Sequence, residues 1–130
     1  MSQIKQARLI LKMAQNILDN QNKIKLWLDD ERPMPSNFDL HVRTAQEAIE
    51  VLKGGNVSYI SLDHDLGPPE AGTGMDVAKW IEEAAFQGEL EPLSYNLHTA
   101  NPVGRDNMAA TLMNADRFWS SKRDEYESNK

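Results

Sequence analysis

Three apolar runs in this chain end in side chains able to do chemistry. Ile24-Lys25-Leu26-Trp27-Leu28 is followed by Asp29-Asp30-Glu31-Arg32, Val57-Ser58-Tyr59-Ile60-Ser61-Leu62 by Asp63-His64-Asp65-Leu66-Gly67, and Leu93-Ser94-Tyr95-Asn96-Leu97 by His98-Thr99-Ala100-Asn101-Pro102-Val103-Gly104-Arg105. Adjacent carboxylates repel unless a cation neutralises them. Asp29, Asp30 and Asp63 offer hard oxygen ligands, which suit octahedral Mg²⁺ or Mn²⁺ better than Zn²⁺. Asp65 is a further candidate ligand, although side-chain alternation can turn it elsewhere. His64 and His98 stand at two of these ends, and an imidazole titrating near pKa ~6.5 can give or take a proton at neutral pH. Asn101, Arg105 and Asn107 surround the start of a helix, where free N–H groups favour an anion and a guanidinium matches phosphate. Arg32 is either a second phosphate contact or a partner for Glu31. The plainer reading makes strand-end aspartates into turn and helix caps; it covers one or two of them, less easily the set. His41, in mid-strand, reads as structural, and Trp27 and Trp80 read as core.

The elements that must position these residues follow from periodicity. Residues 24–28 and 57–62 read as strands, as does 93–97, and Phe38–Val42 alternates as a peripheral strand. Thr44-Ala45-Gln46-Glu47 has capping-box spacing, with Ala48, Ile49, Val51 and Leu52 giving the helix a buried face and Gly54-Gly55 ending it. Met75–Phe86 predicts a second helix, terminated by Gly88, and about Arg105–Phe118 a last one. Pro68, Pro69, Gly72 and Gly74 exclude regular structure from 67–74. Residues 3–19 read as an amphipathic helix with Ile4, Ala7, Leu11, Ala14 and Leu18 on one stripe; its default partner is the domain's own sheet, with a dimer seam as the alternative. From Ser120 the tail lacks apolar periodicity and reads as frayed helix or disorder. Alternating strands and helices imply a parallel sheet with right-handed crossovers. The link between the first two strands is shorter than a crossover helix requires. Either the N-terminal helix fills that place or the second strand pairs antiparallel at an edge.

At 130 residues the chain reads as a single domain, with 1–20 an N-terminal helix, 24–118 the core and 120–130 a flexible tail. No apolar run approaches a membrane span, no secretory leader is legible, and the absence of cysteine fits a cytoplasmic protein. Residues 1–25 carry five basic groups against Asp19 alone, a net +4, which from a formal total of −6 leaves −10 for the remainder. An acidic body argues against coating nucleic acid, since that depends on clustered Lys and Arg.

The acidic pair Asp29-Asp30, the aspartate Asp63 with Leu66-Gly67 behind it, and Thr99-Ala100 resemble the receiver domains of response regulators. The closer resemblance is to a receiver-derived group of phage and bacteria proposed to process cyclic phosphates. Its four segments stand here in order: Trp-Leu-Asp-Asp-x-Arg-x-x-Pro at 27–35, Ser-Leu-Asp-His-Asp-Leu-Gly at 61–67, Thr-Gly-x-Asp at 73–76 and His-Thr-Ala-Asn-Pro-x-Gly at 98–104. The resemblance implies an α/β receiver-like (flavodoxin-like) three-layer sandwich with a mostly parallel four- to five-stranded sheet. Its first helix position is reduced and an N-terminal helix is added. It further implies Mg²⁺ or Mn²⁺ on the aspartates, with Asp63, His64 and His98 as catalytic groups. Arg32, Thr99, Asn101, Arg105 and Asn107 become the phosphate contacts. The expected activity is metal-dependent phosphoester processing of a hydrolase or cyclic phosphodiesterase kind, acting on a 2′,3′-cyclic nucleotide or RNA end. The expected compartment is the cytoplasm, or the host's if the chain is phage-encoded. A fifth strand bearing the phosphate-sensing lysine of ordinary receivers is not legible; the nearest lysine, Lys122, lies in the tail. The competing expectation is a non-catalytic module, one that either signals through phosphorylation of Asp63 or sequesters a phosphate ligand.

Overall fold

The computed structural model describes residues 23–128, together with Ala7 and Ile10, which are helical. The rest of the helix expected over 3–19 lies outside the described residues. Four strands form one parallel sheet: β1 (Ile24–Leu28), β2 (Leu40–Val42), β3 (Val57–Leu62) and β4 (Ser94–Leu97), in the order β2-β1-β3-β4. Helices α1 (Ala45–Lys53), α2 (Gly74–Gln87) and α3 (Pro102–Ser128) follow β2, β3 and β4 in turn, and a short 3₁₀ turn covers Pro69–Ala71. This is the expected α/β receiver-like arrangement, with four strands among the described residues.

The steps from β2 to β3 and from β3 to β4 run the same way across the sheet, so right-handed crossovers put α1 and α2 on one face. Leu26, Leu28, Ile60 and Leu62 point to that face and form a single buried cluster with Leu52 of α1, Val77 and Ile81 of α2, and Met108 and Leu112 of α3. The opposite face carries the other parity. Trp27, Ser61 and Asn96 stand level in register across β1, β3 and β4. Trp27 packs edge-on to Phe38 at 5.1 Å, and Phe38 against Tyr59 at 5.7 Å.

The β1–β2 connection overturns the expectation of an antiparallel edge strand, whereas the alternative, that the N-terminal helix fills the missing helix position, lies outside the described residues. β2 is an edge strand, and it pairs parallel to β1, Leu26 opposite Leu40 and Leu28 opposite Val42. Pro33 and Pro35 keep the connection out of helix, and hydrogen bonds at its far end draw it back along β1. The Asp39 amide donates to the Lys25 carbonyl (2.9 Å) and the Lys25 amide to the Asp39 carboxylate (2.8 Å). Phe38 and Asp39 thus close the connection, and the strand itself begins at Leu40.

The helix ends follow capping chemistry. Thr44 Oγ1 accepts from the Glu47 amide at 3.1 Å, as its spacing predicts, while Glu47 Oε1 takes the Arg43 amide at 3.4 Å. Thr73-Gly74-Met75-Asp76 is the capping box of α2: Thr73 caps the Asp76 amide, and Asp76 accepts from the Thr73 amide at 2.9 Å. Gly88, at φ 74°, ends that helix. Helix α3 starts three residues before the expected position, because Asn101 Oδ1 takes the Gly104 amide (2.9 Å) and Pro102 fits the first turn. It also continues through Ser120–Ser128. There Trp119 Nε1 donates to the Leu90 carbonyl (2.9 Å) and Lys122 Nζ to the Phe86 carbonyl (2.6 Å), anchoring α3 to the end of α2 and to the segment that follows it.

Candidate active site

Parallel pairing continues one residue past the strand ends. The Asp63 amide donates to the Leu28 carbonyl and the His98 amide to the Leu62 carbonyl, both at 3.0 Å, and the Asp29 amide to the Val42 carbonyl at 3.2 Å. Asp29, Asp63 and His98 each lie two residues beyond the row formed by Trp27, Ser61 and Asn96. With a side-chain period of two, all three therefore project from the same face at the same height. One ligand atom from each falls within 4.8 Å of the other two.

Asp29 is 1% exposed and Asp63 8%, so these carboxylates depend on the donors around them. Asp29 Oδ1 accepts the Glu31 and Arg32 amides, each at 2.8 Å, and Oδ2 lies 2.9 Å from His98 Nε2. Burial pushes the Asp29 carboxyl up, but the two amides and His98 outweigh it and hold the group below its ordinary value. Asp63 Oδ1 accepts the His64 amide at 2.8 Å. Arg32 approaches Asp29 at 3.5 Å and Asp63 at 4.0 Å while its Nη1 donates to the His98 carbonyl at 2.8 Å. This settles its pairing on the strand-end aspartates instead of Glu31. His41 Nε2 lies 2.8 Å from the Asp29 carbonyl oxygen and steadies the β1 end from the edge strand.

His98 is held on three sides. Its ring stacks on Trp27 with centroids 3.9 Å apart and planes 6° from parallel, Nε2 meets Asp29, and Nδ1 lies 2.7 Å from Ser61 Oγ. Asn96 Nδ2 donates to that same hydroxyl at 3.2 Å. Burial lowers the imidazole below its ordinary value, with Asp29 pulling the other way. Reading the strand ends alone missed Ser61, Asn96 and the stacking role of Trp27. The signal was present: each stands two residues before a strand-end group, on the same face.

A cleft of about 340 Å³ opens above these groups, lined by Asp29, Asp30, Arg32, Asp63, Asp65 and Thr99 among others. A larger cavity of about 540 Å³ beside Trp119 and Arg123 lacks such a convergence of charge; its Asp116 is bound to Tyr95 at 2.8 Å. Asp30 and Asp65 belong to the cleft wall, outside the close cluster of three. His64 lies behind that wall: Nδ1 is 3.0 Å from Asp65 Oδ1, and its ring packs so tightly on Gly104 that a Cβ there would come within 2.6 Å. Gly74 is similarly pressed on β3, an added Cβ meeting the Asp63 carbonyl oxygen at 2.0 Å. The starts of α2 and α3 thus clamp the Asp63-His64-Asp65 segment between two glycines.

The remaining phosphate candidates are engaged with the chain. Thr99 Oγ1 accepts the Asn101 amide at 3.1 Å, and Arg105 Nη2 donates to the Thr99 carbonyl at 2.9 Å. Asn101 caps α3 and reaches Asp65 Oδ2 at 3.4 Å. Asn107 is exposed one turn into α3. Among the described residues, Arg32 is the basic side chain lining the cleft.

An ion with ligands at about 2.1 Å separates neighbouring donors by about 3 Å and opposite donors by about 4.2 Å. The spread of the Asp29, Asp63 and His98 atoms is within a small side-chain adjustment of that, so the residues present fit a divalent ion. Adding an imidazole to two carboxylates moves the donor set toward Mn²⁺ relative to Mg²⁺.

No helix among the described residues is long and apolar enough to cross a membrane. No curated protein and no solved structure gives a significant match to the chain. The family model for the cyclic-phosphate processing receiver domain matches residues 24–114, from the first residue of β1 into the middle of α3. The parallel sheet, the acidic cleft at its carboxyl edge and this match over most of the chain agree: the protein belongs to the cyclic-phosphate processing receiver domain family.

Proposed function

We propose that the cleft carries out metal-dependent processing of a phosphoester, with a 2′,3′-cyclic phosphate on a nucleotide or an RNA end as substrate. The observation that supports it is the convergence of Asp29, Asp63 and His98 at one height beyond three adjacent strands. These three residues would hold one Mn²⁺ or Mg²⁺ ion, with Asp30 and Asp65 on the wall beside it. Such an ion supplies charge to polarise a phosphate oxygen and lowers the pKa of bound water.

The chain's own residues provide the rest. Arg32 is 48% exposed and lies against both aspartates; an incoming phosphate would draw its forked donors away from them and from the His98 carbonyl. The Asp65 carboxylate faces the cleft, and its hydrogen bond to His64 holds it below its ordinary pKa. The water oxygen bonds to phosphorus as the bond from phosphorus to one ribose oxygen breaks; the Asp65–His64 pair accepts the proton of the attacking water, and the departing ribose oxygen takes a proton from solvent. Asn101 and Thr99 fix the wall from which Asp65 works.

Wild type and Asp63→Asn incubated with a panel of 2′,3′-cyclic nucleotides test this reading. Mn²⁺- or Mg²⁺-dependent opening to a monophosphate in the wild type, reduced at least about a hundredfold in the variant, supports it. Stoichiometric binding without product would replace the enzyme reading with phosphate sequestration. Labelling of Asp63 by acetyl phosphate would replace it with signalling.

A further inference from the structure

Ser61, the penultimate residue of β3, is fully buried, and its hydroxyl stands between an amide and an imidazole. The chain of contacts is continuous: Asn96 Nδ2 to Ser61 Oγ at 3.2 Å, Ser61 Oγ to His98 Nδ1 at 2.7 Å, and His98 Nε2 to Asp29 Oδ2 at 2.9 Å. Hydrogen-bond polarity along it is fixed from the Asp29 end. Asp29 already takes two backbone N–H groups and the approach of Arg32, which makes it an acceptor. A neutral imidazole has one N–H, so Nε2 carries it toward Asp29. Nδ1 must then accept, Ser61 donates to it, and Asn96 donates to Ser61.

The same chain can run the other way with Nδ1, Ser61 and Asn96 still satisfied, leaving only the Nε2 and Asp29 Oδ2 lone pairs facing each other, where a cation can take both. If the N–H is on Nδ1, it donates to Ser61, and Ser61 donates to Asn96 once that amide turns over to present Oδ1. Nε2 then faces the cleft with a free lone pair. A hydroxyl donates and accepts equally well, and an amide presents either function according to its rotation. Asn96 is exposed and free to turn.

We propose that Asn96 and Ser61 are positioning residues that set the tautomer of His98, giving Nε2–H toward Asp29 in the metal-free protein and Nδ1–H, with Nε2 as ligand, in the metal-bound one. This rests on the metal reading above for its second state, and on hydrogen-bond accounting alone for its first. Imidazoles that bind metals commonly donate their other N–H to an outer partner, and loss of such a partner lowers affinity by roughly 10- to 100-fold. Here the partner also has a resting arrangement of its own.

Long-range ¹H–¹⁵N spectra of the full-length labelled protein read the His98 tautomer directly, with Zn²⁺ as a diamagnetic probe and Mn²⁺ for affinity. The expected result is Nε2–H without metal and Nδ1–H with Zn²⁺. Ser61→Ala weakens Mn²⁺ binding by about tenfold. Asn96→Asp, an exposed change that supplies only an acceptor, shifts the metal-free protein toward Nδ1–H and tightens Mn²⁺ binding. A metal-free wild type with Nδ1–H would overturn the proposal, as would an Asn96→Asp protein whose tautomer is unchanged. If neither ion binds the wild type, the metal reading fails, and the resting relay is judged by the metal-free tautomer and its response to Asn96→Asp.

Discussion

At the scale of the residue, the cleft is a balance among two buried carboxylates, one imidazole and one guanidinium. The pH dependence of the metal-free protein follows from it. His98 is held below its ordinary value of 6.5 chiefly by burial, so the unfolded chain binds a proton first as pH falls. Its contribution to stability is present above 6.5 and lost as pH drops through the lowered value. Asp29 is likewise lowered, so its contribution is present above 3.8 and lost as pH falls through its own lowered value. Urea denaturation with a chelator present should show stability declining in two acid steps, and His98→Gln should remove the one nearer neutrality. A flat profile from pH 7 to 5 would contradict this account of His98. Arg32 should act oppositely on the proposed ion and the proposed phosphate. Arg32→Gln should improve Mn²⁺ affinity a few-fold by removing a competing cation, and raise the KM for a cyclic phosphate by removing a phosphate contact.

At the scale of the element, the site depends on how closely two helices approach the end of β3. Gly74→Ala tests this. Alanine is a better helix former by about 1 kcal/mol, but its Cβ would sit 2.0 Å from the Asp63 carbonyl oxygen, a backbone atom with nowhere to move. Overpacking of this kind costs about 1–3 kcal/mol, so the variant should lose stability in thermal unfolding and displace Asp63 enough to weaken metal binding. An unchanged melting temperature would show that the contact is not tight. The strands, the Thr44 cap and the Gly88 stop were legible because periodicity and capping are local. The direction of β2 was not, since it depends on Phe38 packing over Trp27 and on Asp39 bonding to Lys25. Nor was the length of α3, whose last turns lack an apolar stripe and are held by Trp119 and Lys122 reaching backbone carbonyls near the end of α2.

At the scale of the whole molecule, the parallel sheet gathers at one edge residues that lie 69 positions apart in the chain, such as His98 and Asp29. That edge was readable from sequence, because polar groups ended three apolar runs. The division of labour along it was not. Whether His64 or His98 joins the aspartates depends on strand parity and on how Gly104 packs, and only the register decides that. Away from the site, Tyr95 ties β4 to α3 through Asp116, and burial with that carboxylate pushes the phenol up to about 12. Its contribution is present below 10 and lost as pH rises toward 12. Tyr95→Phe should therefore flatten the alkaline limb of the stability profile, and lose about 1 kcal/mol at neutral pH with the hydrogen bond. The proposed chemistry of the cleft requires that Asp29, Asp63 and His98 together hold one divalent ion. Titration of Mn²⁺ into the full-length protein, followed by electron paramagnetic resonance, tests it most directly. One saturable site is expected, abolished by Asp63→Asn and by His98→Gln; the absence of saturable binding, or a site that survives both substitutions, would contradict a shared ion.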